Sequence, residues 1–447
     1  MNDRSDNPWL SRFIIFDDLD EIVRIAQHIP RPVSDLDAVN TAVAAERIRI
    51  ALDRLFIVTP KTAAVLSALG ANAAAASDAR YFDRRAFLRK CYDKNLEVPI
   101  SPPMCIVGLA GIGKSALFRA MERLIGNDRT TQLDDAHDPL VIRGFISTTV
   151  VPGDSDRRLL ARIAEQLDIE ADARSHVERL MAQLKKIGYR DGVAGLNLDE
   201  FQHGTLSAAN SRVTSLLLTA RATGIPVAYA CNFSLIHRLL ERPQEDRDRL
   251  LARVTVLTPE RPESEGWRLI VNGTGSVLRA YLRFDAESEA AELGRLSGCL
   301  PRNLHRLLGI AYEIARESAS KAITMKHVRD AFHSRAFASA RSDIQAIHEI
   351  ADGAGWRSTR RLDLHCPEEL RQDSAPKAGS ATADQKLNVL TRHMLEKSMT
   401  AEERSGWRLA AEQRGKTDAV GKVVSIKKHK ERTARSLIEA HNRFDGD

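Results

Sequence analysis

The hydrophobic positions fall into two kinds of run along the central part of the chain. Short, nearly continuous apolar runs predict buried strands, at 104–107, 140–147, 193–198, 225–231 and 254–257. Longer runs with apolar residues every three or four positions predict helices between them, at 116–125, 155–167, 173–186 and 208–223. This alternation predicts an α/β domain built on a parallel sheet.

The flanking parts of the chain have helical spacing. Before residue 100 the pattern predicts helices at 18–28, 37–56 and 78–93, and the Ala-rich patch 71–76 reads either as a linker or as a weakly specified helix. After residue 285 it predicts helices at 287–296, 301–317 and 324–332, with Pro301 at a helix start and Thr324 as a possible N-cap. Beyond 341 it predicts a short helix at 345–350, a linker over 357–383, and possible helices at 387–396 and 401–414.

These changes of pattern divide the chain into four predicted regions. They are a helical N-terminal adaptor (1–99), an α/β core (100–259), a helical lid (260–340) and a basic, partly disordered C-terminal region (341–447). The adaptor carries no catalytic motif, so we expect it to contact other proteins.

Composition narrows the class of protein. The chain has 447 residues, 43% of them hydrophobic, which suffices for a sizeable core. Its five cysteines form no C-x-x-C pair, so we expect neither a disulfide framework nor a zinc site. This cysteine usage fits a protein of the reducing cytoplasm. No signal-peptide pattern and no run of about 18 uncharged apolar residues occurs, so we expect no membrane span.

The net charge of +6 is unevenly placed. Residues 404–435 contain ten Lys and Arg against three Asp and Glu, which exceeds the balance of the whole chain. Such a segment favours nucleic acid or an acidic protein patch as partner, and a merely soluble charged tail remains an equal alternative.

A phosphate-binding loop follows the first predicted strand. Residues 108–115 read Gly-Leu-Ala-Gly-Ile-Gly-Lys-Ser and fit the pattern G-x-x-x-x-G-K-[ST], between a strand and a helix. Glycines allow backbone N–H groups to surround a phosphate, Lys114 would reach the β- and γ-phosphates, and Ser115 would hold Mg²⁺. The residues expected to bind the nucleotide are Gly108, Gly111, Ile112, Gly113, Lys114, Ser115 and Ala116.

Two acids end the strand predicted at 193–198. Asp199 lies 85 residues after Lys114, a distance that suits a nucleoside triphosphatase with this phosphate loop. Asp199 would orient Mg²⁺, and Glu200 would position and polarise the attacking water. A solvated strand end is the alternative, and Asn197 makes this strand less apolar than is usual.

Other polar residues follow strand ends or begin helices. Asn232 stands where a γ-phosphate sensor is expected, or serves as N-cap of the next helix, and both roles are compatible. Arg302, at the start of a lid helix, would face the phosphates or lie on the surface. In the Arg-rich run 238–253, Arg249 or Arg253, with Arg247 next, would reach a neighbouring subunit's nucleotide.

This order of motifs resembles the AAA+ ATPases, and more narrowly the TnsC/TniB transposition ATPases, over residues 100–335. The narrower resemblance rests on four runs, at 108–115, 198–203 (Leu-Asp-Glu-Phe-Gln-His), 224–232 (Gly-Ile-Pro-Val-Ala-Tyr-Ala-Cys-Asn) and 242–253. Asn197 and the long terminal regions depart from the shorter TniB pattern and favour the TnsC-like side.

The resemblance implies an ATP- and Mg²⁺-dependent ATPase that forms a homo-oligomeric ring or filament on duplex DNA without sequence preference. A TniQ/TnsD-like target-selection protein would bind one face and the transposase the other, and hydrolysis would disassemble the filament. In this family pattern Asn232 and Arg302 sense the γ-phosphate. Two alternatives are a signalling or defence ATPase of the STAND type and an Orc-like DNA loader, although no repeat array and no clear winged-helix segment follows the lid.

Overall fold

A computed structural model describes residues 7–93, 96–133, 135, 137–171, 176–201, 210–351 and 361–370. The chain divides into two compact units, 1–371 and 372–447, and every described residue lies in the first. The helices predicted at 387–396 and 401–414, and the basic segment 404–435, lie outside the described residues. Within those residues, no helix is both long and apolar enough to cross a bilayer.

The predicted parallel sheet is confirmed. Five strands lie in the order β4-β5-β6-β1-β7, and each adjacent pair is parallel. A separate antiparallel pair is formed by β2 and β3. The strands are β1 (Met104–Gly108), β2 (Arg129–Thr131), β3 (Leu140–Ile142), β4 (Phe145–Thr149), β5 (Gly195–Asp199), β6 (Val227–Cys231) and β7 (Arg253–Leu257).

Helices cover both faces of the sheet and form the regions before and after it. The helices around the sheet are α5 (Lys114–Ile125), α6 (Asp156–Glu165), α7 (Val177–Arg190), α8 (Asn210–Ala222), α9 (Phe233–Leu240) and α10 (Gln244–Leu250). Those before it are α1 (Leu19–Ala26), α2 (Thr41–Arg54), α3 (Pro60–Tyr81) and α4 (Arg84–Cys91). Those after it are α11 (Glu265–Val277), α12 (Ala290–Ser297), α13 (Pro301–Glu317), α14 (Met325–His333) and α15 (Ala338–Ala351).

The continuous strand predicted over 140–147 is wrong. The chain leaves the β2–β3 hairpin after Ile142 and enters the main sheet at Phe145. Arg143, between the two strands, forms ion pairs with Asp191 and Asp168 at 3.0 and 2.9 Å. The run 140–147 has no charged residue apart from this arginine, so the sequence pattern does not indicate that ion pairs to distant acids separate its two halves.

Before residue 100, one helix prediction is corrected and one alternative that the sequence left open is decided. The predicted helix 78–93 is interrupted, because α3 ends at Tyr81 and Asp83 caps α4 by accepting from the N–H groups of Arg85 and Ala86. The Ala-rich patch 71–76 is helical and lies inside α3. Thr59 and Thr62 form a capping box at the start of α3, with Pro60 in its first turn.

In the lid, α13 has the predicted bounds, and Thr324 caps α14 as predicted. The sequence did not predict α11. Three glycines lie within it (Gly266, Gly273 and Gly275), and glycine weakens helix propensity by about 1 kcal/mol per residue. Packing overrides this propensity, since Trp267 and Val271 are buried in the lid core.

The region before residue 100 shares its cores with the rest of the unit. Phe16 and Ile22 are buried in one cluster with Ile106 and Leu117 of the sheet domain. In a second cluster α2 packs on the lid, for example through Leu52. The boundaries of the four regions and the adaptor role stay predictions, but the N-terminal helices are packed against both the sheet and the lid.

Candidate nucleotide site

The glycine-rich loop connects the first strand of the chain, β1, to the helix that follows it, as predicted. β1 ends at Gly108 and α5 begins at Lys114, so the loop lies at the carboxyl edge of the sheet. In open parallel sheets, ligands bind at this edge, where strand order reverses. β1 lies between β6 and β7, and the chain therefore places its phosphate loop at that position.

Two glycines of the loop have backbone geometry that disfavours other residues. Gly113 has φ of +109° and Gly111 has φ of +82°, both in the left-handed region. A Cβ on Gly111 would also lie 2.8 Å from Cβ of Arg302, which is closer than carbon atoms approach. The loop is therefore shaped by glycine and is closed on one side by the lid.

Lys114 lies at the centre of this edge. Its ammonium donates hydrogen bonds to the carbonyl oxygens of Gly108 and Leu109 and to Oδ1 of Asn232, each at 2.9 Å. The side chain is buried. All three proton positions of the ammonium are thus directed toward acceptors, two in the loop and one on the neighbouring strand end.

Burial lowers the pKa of Lys114 to about 8. Removal from water disfavours the charged form, and the nearby Arg302 acts in the same direction. Cys231, Glu200 and Asp199 act against this lowering. The structure therefore brings Lys114 into electrostatic contact with both acids of the β5 end and with the lid arginine.

Asp199 is the last residue of β5, and Glu200 follows it directly. Oδ1 of Asp199 accepts a hydrogen bond from the N–H of Glu200 at 2.8 Å. Glu200 has φ of +54°, a left-handed conformation that is uncommon outside glycine and concentrates at functional sites. Both side chains are half-buried at the same sheet edge as the loop.

Asn232 follows β6 and precedes α9. Its backbone has N-cap geometry, but its side chain makes no capping hydrogen bond. The side-chain oxygen instead accepts from Lys114. Of the two roles left open by the sequence, N-capping is thus carried out by the backbone alone, and the sensor role of the side chain stays a prediction.

Arg302 lies at the start of α13, where the lid meets the loop. Its backbone N–H donates to the carbonyl of Gly111 at 3.3 Å. The side chain is exposed. The lid helix is thus attached to the phosphate loop through the backbone at this point, a contact that the sequence did not predict.

The arginines predicted to act across a subunit boundary lie elsewhere. Arg253 begins β7 and pairs in register with Met104, at the amino edge of the sheet. Arg249 and Arg247 are in α10, and Arg249 forms an exposed ion pair with Glu245 at 2.5 Å. Arg253 is therefore at the edge opposite to its own phosphate loop.

The remaining predicted residues lie in the loop and first turn of α5. Ser115 and Ala116 are half-buried there, and Ile112 packs against the apolar residues on both sides of the sheet. Leu109, which the sequence did not single out, supplies a carbonyl to Lys114. A backbone acceptor has no sequence signal, because every residue type carries one.

Asn197 is explained by its neighbour. It is buried in β5, opposite Ser147 of β4, and its Nδ2 donates to Oγ of Ser147 at 3.2 Å. A buried amide without a partner would be costly, whereas this pair satisfies it. Asn197 therefore stands in a mostly apolar strand because it makes a polar contact with the neighbouring strand.

These residues fit a nucleoside triphosphate with Mg²⁺. The glycine loop would hold phosphate, Ser115 and Asp199 offer hard oxygen ligands, and Mg²⁺ at such sites takes its other ligands from phosphate and water. No group of three or more His, Cys, Asp or Glu in the described ranges is placed to hold a metal ion by itself.

A family model supports the same domain type. Residues 102–239 match a family model described as an AAA domain. No curated protein sequence matches the chain. Among solved structures, the Aeropyrum pernix Orc1 protein in complex with DNA is 18% identical, with 82% of this chain and 80% of that chain covered and a TM-score of 0.40.

Two further solved structures are similarly distant. The Aeropyrum pernix Orc2 protein is 15% identical, over 57% of this chain and 67% of that one, with a TM-score of 0.38. The Thermotoga maritima RuvB Holliday junction branch migration motor is 14% identical, over 64% and 75%, with a TM-score of 0.33. With the glycine loop, Lys114 and the β5 and β6 ends all inside the matched range, residues 102–239 form a P-loop domain of the AAA type.

Proposed function

We propose that the protein is an ATPase that regulates DNA transposition. It assembles on duplex DNA as a ring or filament in the cytoplasm and connects a TniQ/TnsD-like target-selection protein to a transposase. ATP hydrolysis ends that assembly. The observation that carries the ATPase part is the hydrogen bond between Lys114 and Asn232, which joins the phosphate loop to a neighbouring strand end beside Asp199 and Glu200.

The loop and its lysine bind the phosphates of ATP. The backbone N–H groups around Gly111 and Gly113 surround the phosphates, and the start of α5 adds a positive dipole. Lys114 exchanges its contacts with the Gly108 and Leu109 carbonyls for phosphate oxygens. Ser115 and Asp199 would hold Mg²⁺, which would supply positive charge against the charge that develops on the phosphates.

Glu200 positions the attacking water and polarises it. The side-chain oxygen of Asn232 loses its lysine donor when Lys114 turns toward a γ-phosphate, so this contact reports the nucleotide state. Arg302 contacts the phosphates from the lid, and its backbone bond to Gly111 keeps α13 close to the loop. Arg249 or Arg253, with Arg247 next, completes the site of an adjacent subunit. Action on its own site is excluded for Arg253, which lies at the sheet edge opposite its own loop.

The transposition part rests on the sequence runs that resemble the TnsC/TniB ATPases. Residues 202 and 203 of these runs lie outside the described residues. The described part of the runs includes Asp199, Glu200, Asn232 and the arginines of α10. The runs thus supply the hydrolytic residues and those proposed to act between subunits.

Negative-stain imaging tests the assembly. The full-length protein is imaged with linear duplex DNA and a non-hydrolysable ATP analogue, with ADP, and without nucleotide. We expect rings or filaments on DNA with the ATP analogue only. An oligomer that forms equally well without DNA would instead favour a STAND-type switch, and the absence of any DNA-bound oligomer would overturn the proposal.

A second experiment separates a transposition regulator from an Orc-like loader. The gene neighbourhood is searched for a transposase gene, and the purified transposase it encodes is mixed with protein–DNA assemblies. We expect co-sedimentation that depends on the ATP analogue. A neighbouring transposase that fails to bind assembled protein would contradict the transposition part and leave the ATPase assignment intact.

A further inference from the structure

The short helix α4, just before the sheet domain, presents an unusually basic surface. Four of its eight residues are exposed cations, and the helix itself contains no acid. Its buried side is formed by Phe87, which contacts Tyr189 of α7 at a ring-centroid distance of 5.5 Å. The four cations are Arg84, Arg85, Arg89 and Lys90.

The basic surface continues onto the end of α7. Lys186 is exposed there, and both Lys186 and Arg190 lower the pKa of Cys91 against the stronger raising effect of its burial. Electrostatic contact with Cys91, the last residue of α4, places the two helix ends beside each other. We call the set Arg84, Arg85, Arg89, Lys90 and Lys186 the α4 surface.

The cations of the α4 surface are not neutralised by the residues that the structure describes. None of the five forms an ion pair in the described part of the chain, whereas several exposed arginines on other helices do. Arg49 binds Glu46 and Asp53, and Arg329 binds Glu292. Like charges one turn apart, as in Arg85 and Arg89, destabilise a helix by a few tenths of a kcal/mol. This arrangement therefore suits an external anion.

The nearby acids leave the α4 cations exposed. Asp83 accepts from backbone N–H groups at the start of α4, and Asp191 is buried and bound by Arg143 and Arg190. Exposed acids occur at the far end, at Asp93 and in the β2–β3 loop at Asp135 and Asp138. They limit the basic surface to α4 and the end of α7.

Exposed aromatic rings flank α4 on both sides. Phe82 is 64% exposed and Tyr92 is 74% exposed, the largest values among the exposed large apolar side chains of the described residues. Arginine and lysine beside exposed rings are the combination that nucleic acid binds, through phosphate contacts and through apolar contact with sugar and base.

The α4 surface lies away from the nucleotide site. α7 ends at Arg190, just before β5 begins at Gly195, so its end is at the amino edge of the sheet. Lys114 and the loop are at the carboxyl edge. Substitutions on this surface can therefore change binding of a polyanion without altering contacts of Lys114.

From the unpaired cations, the flanking rings and the position, we propose that the α4 surface binds the phosphate backbone of duplex DNA. This inference rests on the proposed function and assigns one of its DNA contacts. The contact is independent of base sequence, because lysine and arginine meet phosphates by charge. Charge complementarity favours duplex DNA as the occupant, because these five cations have no ion-pair partner among the described residues.

Fluorescence anisotropy with a labelled 30-base-pair duplex tests the proposal. The full-length protein with a non-hydrolysable ATP analogue is compared with the triple variant Arg85→Gln/Arg89→Gln/Lys90→Gln, which keeps helix-compatible side chains. The matched control, Arg47→Gln/Arg49→Gln/Arg54→Gln on α2, removes the same charge from another exposed helix face. Melting temperature and ATP affinity are measured for all three proteins.

We expect the α4 variant to bind DNA about tenfold more weakly or worse at 0.1 M salt, and its log Kd to depend on log salt with a slope smaller by about 2 to 3, since each lost phosphate contact removes about 0.9. The α2 control should bind like the unmodified protein. Equal loss in both variants, or no loss in the α4 variant, would overturn the assignment of the surface while the proposed function stands. Failure of the unmodified protein to bind duplex DNA would overturn both.

Discussion

The Lys114 ammonium and the Asn232 side-chain oxygen lie 2.9 Å apart and are hydrogen-bonded, which connects the phosphate loop after β1 to the end of β6. The two residues are 118 positions apart in the chain and meet because β1 and β6 are adjacent parallel strands. In the proposed mechanism, Asn232 would respond to the position of the Lys114 ammonium through this hydrogen bond.

Replacement of Asn232 tests that role. Asn232→Ala leaves Lys114 its two loop carbonyls, so we expect ATP affinity to change less than about threefold. Turnover should fall about tenfold or more, the order of one positioned polar contact in a transition state. Single-turnover hydrolysis and equilibrium binding measure the two effects. Asn272→Ala, on the exposed side of the lid helix α11, is the control, and unchanged turnover in Asn232→Ala would refute a sensor role.

Loss of the loop lysine should act on binding itself. Lys114→Ala removes charge-assisted hydrogen bonds worth about 1.5 to 3 kcal/mol, which corresponds to about a 10- to 100-fold rise in the Kd for ATP. Nucleotide-dependent association with DNA should be lost as well. Titration with a fluorescent ATP analogue measures this, with exposed Lys326→Ala as control. Unchanged affinity in Lys114→Ala would refute the loop assignment.

Glu200 should affect the chemical step and not binding. Glu200→Gln keeps the size of the side chain and removes its capacity to accept a proton, so we expect hydrolysis to fall about 10²- to 10⁴-fold. ATP affinity should stay within about threefold, and assemblies on DNA should persist after ATP is added. Phosphate release and sedimentation follow the two properties. Turnover near that of the unmodified protein would show that Glu200 does not activate the water.

Mixing of two inactive variants can identify the arginine that acts between subunits. Glu200→Gln subunits keep their arginines, and Arg253→Ala subunits keep their own hydrolytic residues. Mixed oligomers therefore contain interfaces with one intact copy of each, and we expect hydrolysis above that of either variant alone.

The same experiment with Arg249→Ala and Arg247→Ala compares the other candidates. Arg249 first has to leave its exposed ion pair with Glu245, which costs about 0 to 1 kcal/mol. If no mixture recovers activity although each single variant lacks it, action in trans is refuted.

The lowered pKa of Lys114 predicts a pH dependence of nucleotide binding. The free protein loses the lysine proton above about pH 8, whereas bound phosphate favours the protonated form. Affinity should therefore be level below pH 8 and fall by up to about tenfold per pH unit above it. Binding should take up about one proton at pH 9 and nearly none at pH 7.

Calorimetry in buffers of different ionisation enthalpy measures this uptake. Lys114→Arg provides the control, because arginine stays protonated over this range and its uptake should not depend on pH. Equal proton uptake at pH 7 and pH 9 in the unmodified protein would contradict a lysine pKa near 8 in the free site.

Most helices and strands were predicted correctly where the local pattern of apolar and capping residues decides them. The alternation of apolar runs and helical spacing gave the parallel sheet, and Pro301 and Thr324 marked the starts of α13 and α14. Errors occurred where contacts distant in the chain decide local structure. Arg143, fixed by acids from other elements, divides the strand predicted over 140–147, and packing of Trp267 holds α11 in spite of its glycines.

By itself, the sequence determined the loop at 108–115, the acids after β5 and the fold class, because each depends on residue types at fixed spacing. Only the tertiary structure decided that the Asn232 side chain binds Lys114 and does not cap α9, that Arg302 is attached to Gly111 through its backbone, and that Arg253 lies at the opposite sheet edge. Strand order and packing bring together residues that are far apart in the chain, and the local spacing of residue types predicts neither of them.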